Sequence, residues 1–551
     1  MKQKPFSFRF GVVCAAVCSL ALAGSAGVAS AAKPPILKAA SYPGMTTYSC
    51  STDPILMHPG QNLNLFRGET TCPNARVVRG PGKASVFNGP SQGYLTRFKP
   101  NMVVIRGKKL VTPPVDDLHL HHVVWLGPTN ERFAAGEEKS YVKLPKGYGY
   151  RLTANAGWYL NYMIHDLRII PNRRIRIQWE IDWVPAQSAA ASGIKDLEGR
   201  WLDVAGLPQQ VYPVFDAEKG FANTEDGKFT FPDDVPATPG TPGYEEREKI
   251  SSGKCWTISQ NDGVTLIFGA GHLHPGGEQV DLFATRGGDR KRIFTSTAKY
   301  YEPAGAISWD VAMRATRPDW RVELKKNDQL CLNATYDVSK ASWYESMGIL
   351  PLAYIPGRNE SGSADPWDES AAFEAMRAKG GILTHGRLKE NIDARANRSL
   401  GLANPADLPD GSAVPAEGVV IENTVASPGG FSAIKGFPAS QMRPPTVPVG
   451  SSVTFTSEDA LLGSPVTQQI WHTITSCRNP CNRGPGIGYP LAGGPVKFDS
   501  GQLGFTSNSD YGNGEVVEQT NTFTTPTFSQ PGTYTWFCRI HPLMRGSIRV
   551  K

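Results

Sequence analysis

The sequence predicts an all-β protein made of several β-sandwich units. Between Met45 and Leu352, apolar and aromatic runs of about five to eight residues are broken at short intervals by Gly, Pro, Asn and Asp. Met102-Val-Val-Ile105, Val123-Val-Trp125, Ile175-Arg-Ile-Gln-Trp-Glu-Ile181 and Val264-Thr-Leu-Ile-Phe268 are examples. The 551 residues exceed what one hydrophobic core organises, and the length suggests about three or four domains. No internal repeat is visible.

The elements follow in order. Lys2, Lys4 and Arg9 precede an apolar run from Phe10 to Ala23, and Ala29-Ser-Ala31 follows it, the pattern of a signal peptide over residues 1–31 cleaved after Ala31. The expected location is therefore secreted, either extracellular or periplasmic. A first β-sandwich is expected over 40–230 and a second over 250–355, with a Pro-rich linker from Pro232 to Pro242 between them. From 356 to 415 the chain becomes polar and rich in Pro and Gly around one expected helix, Ser370 to Ala378, and is read as a connector. Strand and turn signals return over 416–551, in Gly450-Ser-Ser-Val453-Thr-Phe455, Ile470-Trp-His472-Thr-Ile474 and Pro531-Gly532-Thr-Tyr-Thr-Trp-Phe537.

Charge and cysteine usage narrow the function classes. Loss of the three leader cations takes the formal charge from +7 to +4, too small and too dispersed for a nucleic-acid partner. No stretch after the leader has the length and apolarity of a membrane span. Of nine cysteines, Cys14 and Cys18 leave with the leader, and the remaining seven read as one metal ligand plus six. Those six fall into local pairs, Cys50 with Cys72, Cys255 with Cys331 and Cys477 with Cys481, one of 15 connectivities, and suit an oxidising compartment.

The chemistry is densest at the end of the chain. Cys538-Arg-Ile-His541-Pro-Leu-Met544-Arg-Gly546 places a thiolate, an imidazole and a thioether at short fixed spacing, the donor set that selects copper for one-electron transfer, with the weak thioether tuning the potential. His472 is the expected fourth ligand. This region resembles the cupredoxins, and its Cys-x-x-His-Pro-x-Met-Arg-Gly loop is most like that of amicyanin. The resemblance implies a Greek-key β-sandwich with a type 1 copper. Multicopper oxidases and copper nitrite reductases place a His directly beside the type 1 Cys, whereas Cys538 has Phe537 and Arg539 as neighbours.

A second constellation lies upstream. In Gly271-His272-Leu-His274-Pro the period of two of a strand puts both imidazoles on one face, suited to gripping one metal. Together with Asp116-Asp-Leu-His-Leu-His121-His122, Tyr159-Leu-Asn-Tyr-Met-Ile-His165 and Tyr344-Glu-Ser-Met347, this order of ligand types resembles the copper type II monooxygenases, the peptidylglycine hydroxylating and dopamine β-monooxygenase family. That resemblance implies two jelly-roll β-sandwiches holding two separate coppers across an open cleft. His121, His122 and His165 would bind the copper that supplies electrons. His272, His274 and Met347 would bind the copper at which molecular oxygen is activated for hydroxylation of an organic substrate. No counterpart of the residues that grip a peptide is found. The family's disulfide beside the Met ligand is also missing, so Cys255 is the expected partner of Cys331.

One conflict lies in the spacing itself. Neighbouring residues of a regular strand face opposite ways, so His119 would pair with His121 and leave His122 out unless a bulge intervenes. His119 is read as facing solvent, with a role as an extra ligand left open. His58 and His385 are read as surface residues, and Trp125, Trp158, Tyr159 and Tyr162 as core or cleft wall. Asp166 and Glu278 are candidates for orienting the histidines or for salt bridges. The leading expectation is a secreted copper oxidoreductase, monooxygenase-like sandwiches fused to a type 1 copper domain. The alternative is a non-catalytic extracellular copper-binding or electron-carrier protein.

Overall fold

The computed structural model describes residues 34–551 apart from 59, 116, 128–131, 168–172, 206–214, 218–225, 236–254, 302–309, 340–342, 369–370, 393–403, 422–442, 460–471, 478–496, 501–502, 504–520 and 539–544. The expected leader, Cys481, most of the Pro-rich linker and the ligand candidates His541 and Met544 therefore lie outside the described residues. The chain is all-β, as the punctuated apolar runs require, and among the described residues no helix is long and apolar enough to cross a membrane.

The first apolar core is built on two long strands, Gln92–Arg106 and Arg173–Pro185, paired antiparallel at the centre of a large sheet. Facing it is a four-stranded sheet in the order Asn62–Thr70, Gly157–Asp166, Leu118–Leu126, Arg132–Gly136. Alternation sends Leu120, Val123, Trp125, Leu160, Tyr162 and Ile164 inward, where Phe98 stacks on Phe133 at 4.3 Å and meets Trp125 edge-on at 4.8 Å. A disulfide joins Cys50 to Cys72 at the rim of this core.

The chain enters the second core early. Lys195–Asp196 still pairs with the first sheet system, but Glu198–Arg200 already pairs with Leu352–Pro356, and Lys228–Phe231 pairs with Gln329–Asp337. A seven-stranded sheet and a four-stranded sheet enclose Phe229, Phe231, Val280, Leu282, Leu332 and Val322. The Gly277–Arg286 and Asp289–Tyr300 strands are joined by Gly287-Gly288 alone, both at positive φ (57° and 89°), a turn that only glycine enters without strain. A second disulfide links Cys255 to Cys331.

The third core, Phe455, Ile474, Trp536, Ile548 and Val550 among others, lies between a sheet containing Thr475–Cys477, Gly532–Phe537 and Arg545–Val550 and one containing Val419–Ile421, Thr454–Ser457 and Thr522–Thr524. Two side chains tie it to the rest. Met163, from the first sandwich, is buried in the same cluster as Cys538, and Phe537 is buried in the second core. The described part of the connector is packed as well. Its helix, Ala371–Ala378, seats Phe373 in the second core, and Ile382–Leu383 adds a strand beside Val311–Ala315.

Candidate metal centres

The Leu118–Leu126 strand carries the bulge that the ligand set implied by the family resemblance requires. Its register against Gly157–Asp166 runs His119 opposite His165, Leu120 opposite Ile164 and then His122 opposite Met163, so that His121 is the extra residue. The bulge lets His119, His121 and His122 share the face that turns away from the first core. Asn161, Met163 and His165 occupy the same face of the partner strand by their period of two. A sheet face this polar is ordinarily solvated, yet His119, His121, His122, His165, His272, His274 and Met347 are each only 1–7% exposed. The second sandwich covers it through Trp201, Met347 and Ile349, packed on Val124, and the third core covers it at Met163.

The histidines meet across this junction. The ring of His121 lies 4.4 Å from that of His165 and 4.2 Å from that of His274, centroid to centroid. His119 is 5.2 Å from His165, His122 is 5.8 Å from His121, and His272 is 5.1 Å from His274. Candidates that the family resemblance divides between two sites across an open cleft are thus brought into one buried cluster. Among the described residues no group of three or more His, Cys, Asp or Glu side chains is placed so that it could hold a metal ion.

Each ring is held by its own neighbours. His119 is not solvent-facing: its Nδ1 lies 2.9 Å from the Val115 carbonyl, and its Nε2 is 3.7 Å from Glu137. His122 Nε2 is 2.9 Å from the Asn161 side-chain oxygen. His272 Nδ1 is 2.9 Å from Glu138, whose carboxylate also accepts the Gly136 N–H. Gly136 has to be glycine, because a Cβ there would lie 2.6 Å from both the His121 carbonyl oxygen and His272 Cε1. Burial lowers the His121 pKa well below its usual value, and the neighbouring histidines add to the effect. Burial takes His122 down to about 3 against the opposing pull of Asn161. Both rings are neutral near pH 7, the form that ligates metals.

His274 and Met347 are tied together by Tyr336, a residue the sequence does not single out. Its hydroxyl donates to the Met347 carbonyl at 2.7 Å and accepts the N–H groups of Met347 at 3.0 Å and His274 at 3.2 Å. His272–Leu273 is paired with Gly348–Ile349, which fixes the same two segments from the other side.

Several sequence readings are corrected here. His385 is buried rather than on the surface, bridging the Glu138 and Gly386 carbonyls and packing on Tyr141 because the connector folds down onto this loop. Of the two roles read for Asp166 and Glu278 the structure shows salt bridges, Asp166 to the buried Arg173 and Glu278 to Lys228. Trp125, Trp158 and Tyr162 are core, but Tyr159 is 63% exposed. His58 is exposed, as expected.

In the third core Cys538 is fully buried. Its sulfur accepts the Thr473 N–H at 3.3 Å, and His472, the residue before Thr473, has its Nε2 3.0 Å from Asp459. Burial opposes a charge on His472, but the hydrogen bonds and negative charges of Asp459 and Cys538 prevail and lift its pKa to about 9. The structure thus brings His472 and Cys538 together from strands 66 positions apart. A buried sulfur facing an imidazole and a backbone donor is a soft, preorganised pair that fits a copper ion.

No family model matches the chain, and no curated protein matches it. Similar solved structures include a purple cupredoxin from Nitrosopumilus maritimus, 21% identical over 24% of this chain and 97% of that chain, with a TM-score of 0.15. A reduced amicyanin mutant is 18% identical over 28% of this chain and 93% of that chain, with a TM-score of 0.12. A copper-containing nitrite reductase from Thermus scotoductus is 14% identical over 53% of this chain and 59% of that chain, with a TM-score of 0.15.

Proposed function

We propose that this protein is a secreted copper oxidoreductase in which a type 1 centre built on His472, Cys538, His541 and Met544 serves a second copper region formed by His121, His122, His165, His272, His274 and Met347. The observation that carries the reading is the buried pairing of Cys538 with His472, with the Thr473 N–H on the sulfur. Copper bound there would supply reversible one-electron transfer. The chain's own contribution is to bury the sulfur, to orient the imidazole through Asp459 and to place both beside Met163, two residues before His165. Two disulfides support an oxidising compartment. At the histidine region the monooxygenase-like reading has molecular oxygen and an organic substrate as reactants.

One observation favours the alternative, a non-catalytic electron carrier or copper-holding protein. The histidine face lies under the second sandwich and the third core, where the family resemblance implies a cleft open to substrate.

Copper stoichiometry with optical and EPR spectra on the mature protein and on Cys538→Ser tests the proposal. An intense blue band lost in the variant, with a colourless copper signal retained, supports both regions. A single blue copper and nothing else leaves only the electron carrier. Oxygen uptake coupled to a hydroxylated product by the reduced protein separates the monooxygenase from the carrier.

A further inference from the structure

We propose that the connector takes part in the histidine region as its positioning element: His385, acting through Glu138, sets the ring of His272. This rests on the copper reading for what that ring does, while how the ring is held stands on hydrogen-bonding geometry alone.

The links run from the connector to the ring without a break. His385 Nε2 meets the Glu138 carbonyl, and its ring packs on Tyr141 at 5.0 Å. The chain turns tightly here, with the Lys139 N–H donating to the Gly136 carbonyl at 3.1 Å. That turn sends the Glu138 carboxylate back to accept the Gly136 N–H and to lie 2.9 Å from His272 Nδ1. A carboxylate only accepts, so in the neutral ring the proton of this contact sits on Nδ1 and the lone pair on Nε2. Glu138, His272 and His385 are all buried, so water does not compete for these contacts.

The turn is held from outside as well as from within. Lys139 has a φ of 42°, the left-handed region that a long side chain keeps only where its surroundings over-determine it. Its buried ammonium donates to Glu390 of the connector at 3.1 Å, a second hold on the same turn. The connector in turn is fixed to the second sandwich. Ile382–Leu383 pairs with Val311–Ala315, the Thr384 N–H donates to the Met313 carbonyl at 3.0 Å, and Arg387 and Asn391 both reach Asp310, at 3.2 and 3.0 Å. Glu138 belongs to the first sandwich and His272 to the second. The connector therefore ties a carboxylate of one sandwich to the frame of the other, where the ring it touches resides.

The test uses the full chain, metal-free and isotope-labelled at histidine, with ring-nitrogen NMR shifts as the readout. His385→Asn carries its amide only as far as the Nδ1 position and cannot reach the Glu138 carbonyl, whereas His385→Gln extends a donor to the Nε2 position. The expected result is that His385→Asn moves the His272 ring signals and His385→Gln restores them. Glu138→Gln should move the same ring. A merely structural role would shift the histidine signals together and lower the melting temperature with no rescue by Gln, which would overturn the proposal. So would His272 signals that stay unchanged in His385→Asn or in Glu138→Gln. Should His385→Asn fail to fold, Glu390→Gln weakens the second hold instead, and moved or unmoved His272 signals decide in the same sense. In the Cys538→Ser chain, with Cu(II) alone as the probe, His385→Asn should weaken binding at the histidine region by about 10-fold or more, and His385→Gln should regain it. No Cu(II) bound by the folded Cys538→Ser protein would overturn the copper reading and leave the ring shifts to decide the positioning.

Discussion

The hydroxyl of Tyr336 ties two segments together, donating once to Met347 and accepting one N–H each from Met347 and His274. Tyr336→Phe keeps the ring and leaves three backbone groups unpaired in a water-free environment. The expected cost is about 2 to 4 kcal/mol, read as a lower urea midpoint of the metal-free protein. Because His274 loses its anchor, the proposed copper binding of the histidine region should weaken as well.

Arg173 is buried between two carboxylates, its Nε 3.0 Å from Asp166 and one terminal nitrogen 2.9 Å from Asp117. Asp166 directly follows His165, so this network fixes the end of the strand that carries this candidate ligand. Arg173→Met strands the fully buried Asp166 and should destabilise the protein by about 3 to 5 kcal/mol. Asp166→Asn combined with Arg173→Met should recover part of that loss in chemical denaturation.

Gly136→Ala puts a methyl group against the His121 carbonyl and the His272 ring. Overpacking of this kind costs about 1 to 3 kcal/mol. Gly89→Ala is the control, since a Cβ at Gly89 meets nothing within 4 Å. A lowered melting temperature for the first and an unchanged one for the second is the expected pattern. An unchanged melting temperature for both would contradict the close approach.

Lys143 supplies a pH dependence away from the candidate metal centres. Burial, reinforced by Arg97 and Lys99, lowers its pKa from 10.5 to about 8, while its ammonium donates to the Leu37 and Thr384 carbonyls beside the Tyr141 ring. Between pH 8 and 10.5 the unfolded chain holds a proton that the folded chain has released, so this residue makes stability rise with pH across that window. Lys143→Met should remove that increment, seen as a smaller rise in melting temperature from pH 8 to 10 than in the parent protein.

What the sequence made legible was local. Alternation and turn chemistry specify the strands, and cysteine proximity pairs Cys50 with Cys72 and Cys255 with Cys331. The bulge follows from adjacent His121 and His122 only when the family resemblance asks both to face one way; strand period alone pairs His119 with His121. The hidden part is long-range. Tyr336 gives no sign that it clamps His274, nor Asp459 that it orients His472, because each contact is created only when distant strands dock. His385 and His119 read as surface residues for the same reason: His385 is buried against Glu138 and Tyr141, and His119 against His165 and Glu137, contacts made between separate stretches of the chain.

Met163 and Phe537 give the molecule a property that a map of separate modules conceals. One side chain of the first sandwich is buried with Cys538, and the neighbour of Cys538 is buried in the second sandwich. A chain ending before residue 416 would leave an exposed methionine on one side and a phenylalanine-sized void on the other. The C-terminal segment is therefore separable by point substitution but not by deletion, and an evolutionary or engineered loss of it would require the face around His165 to be rebuilt at the same time.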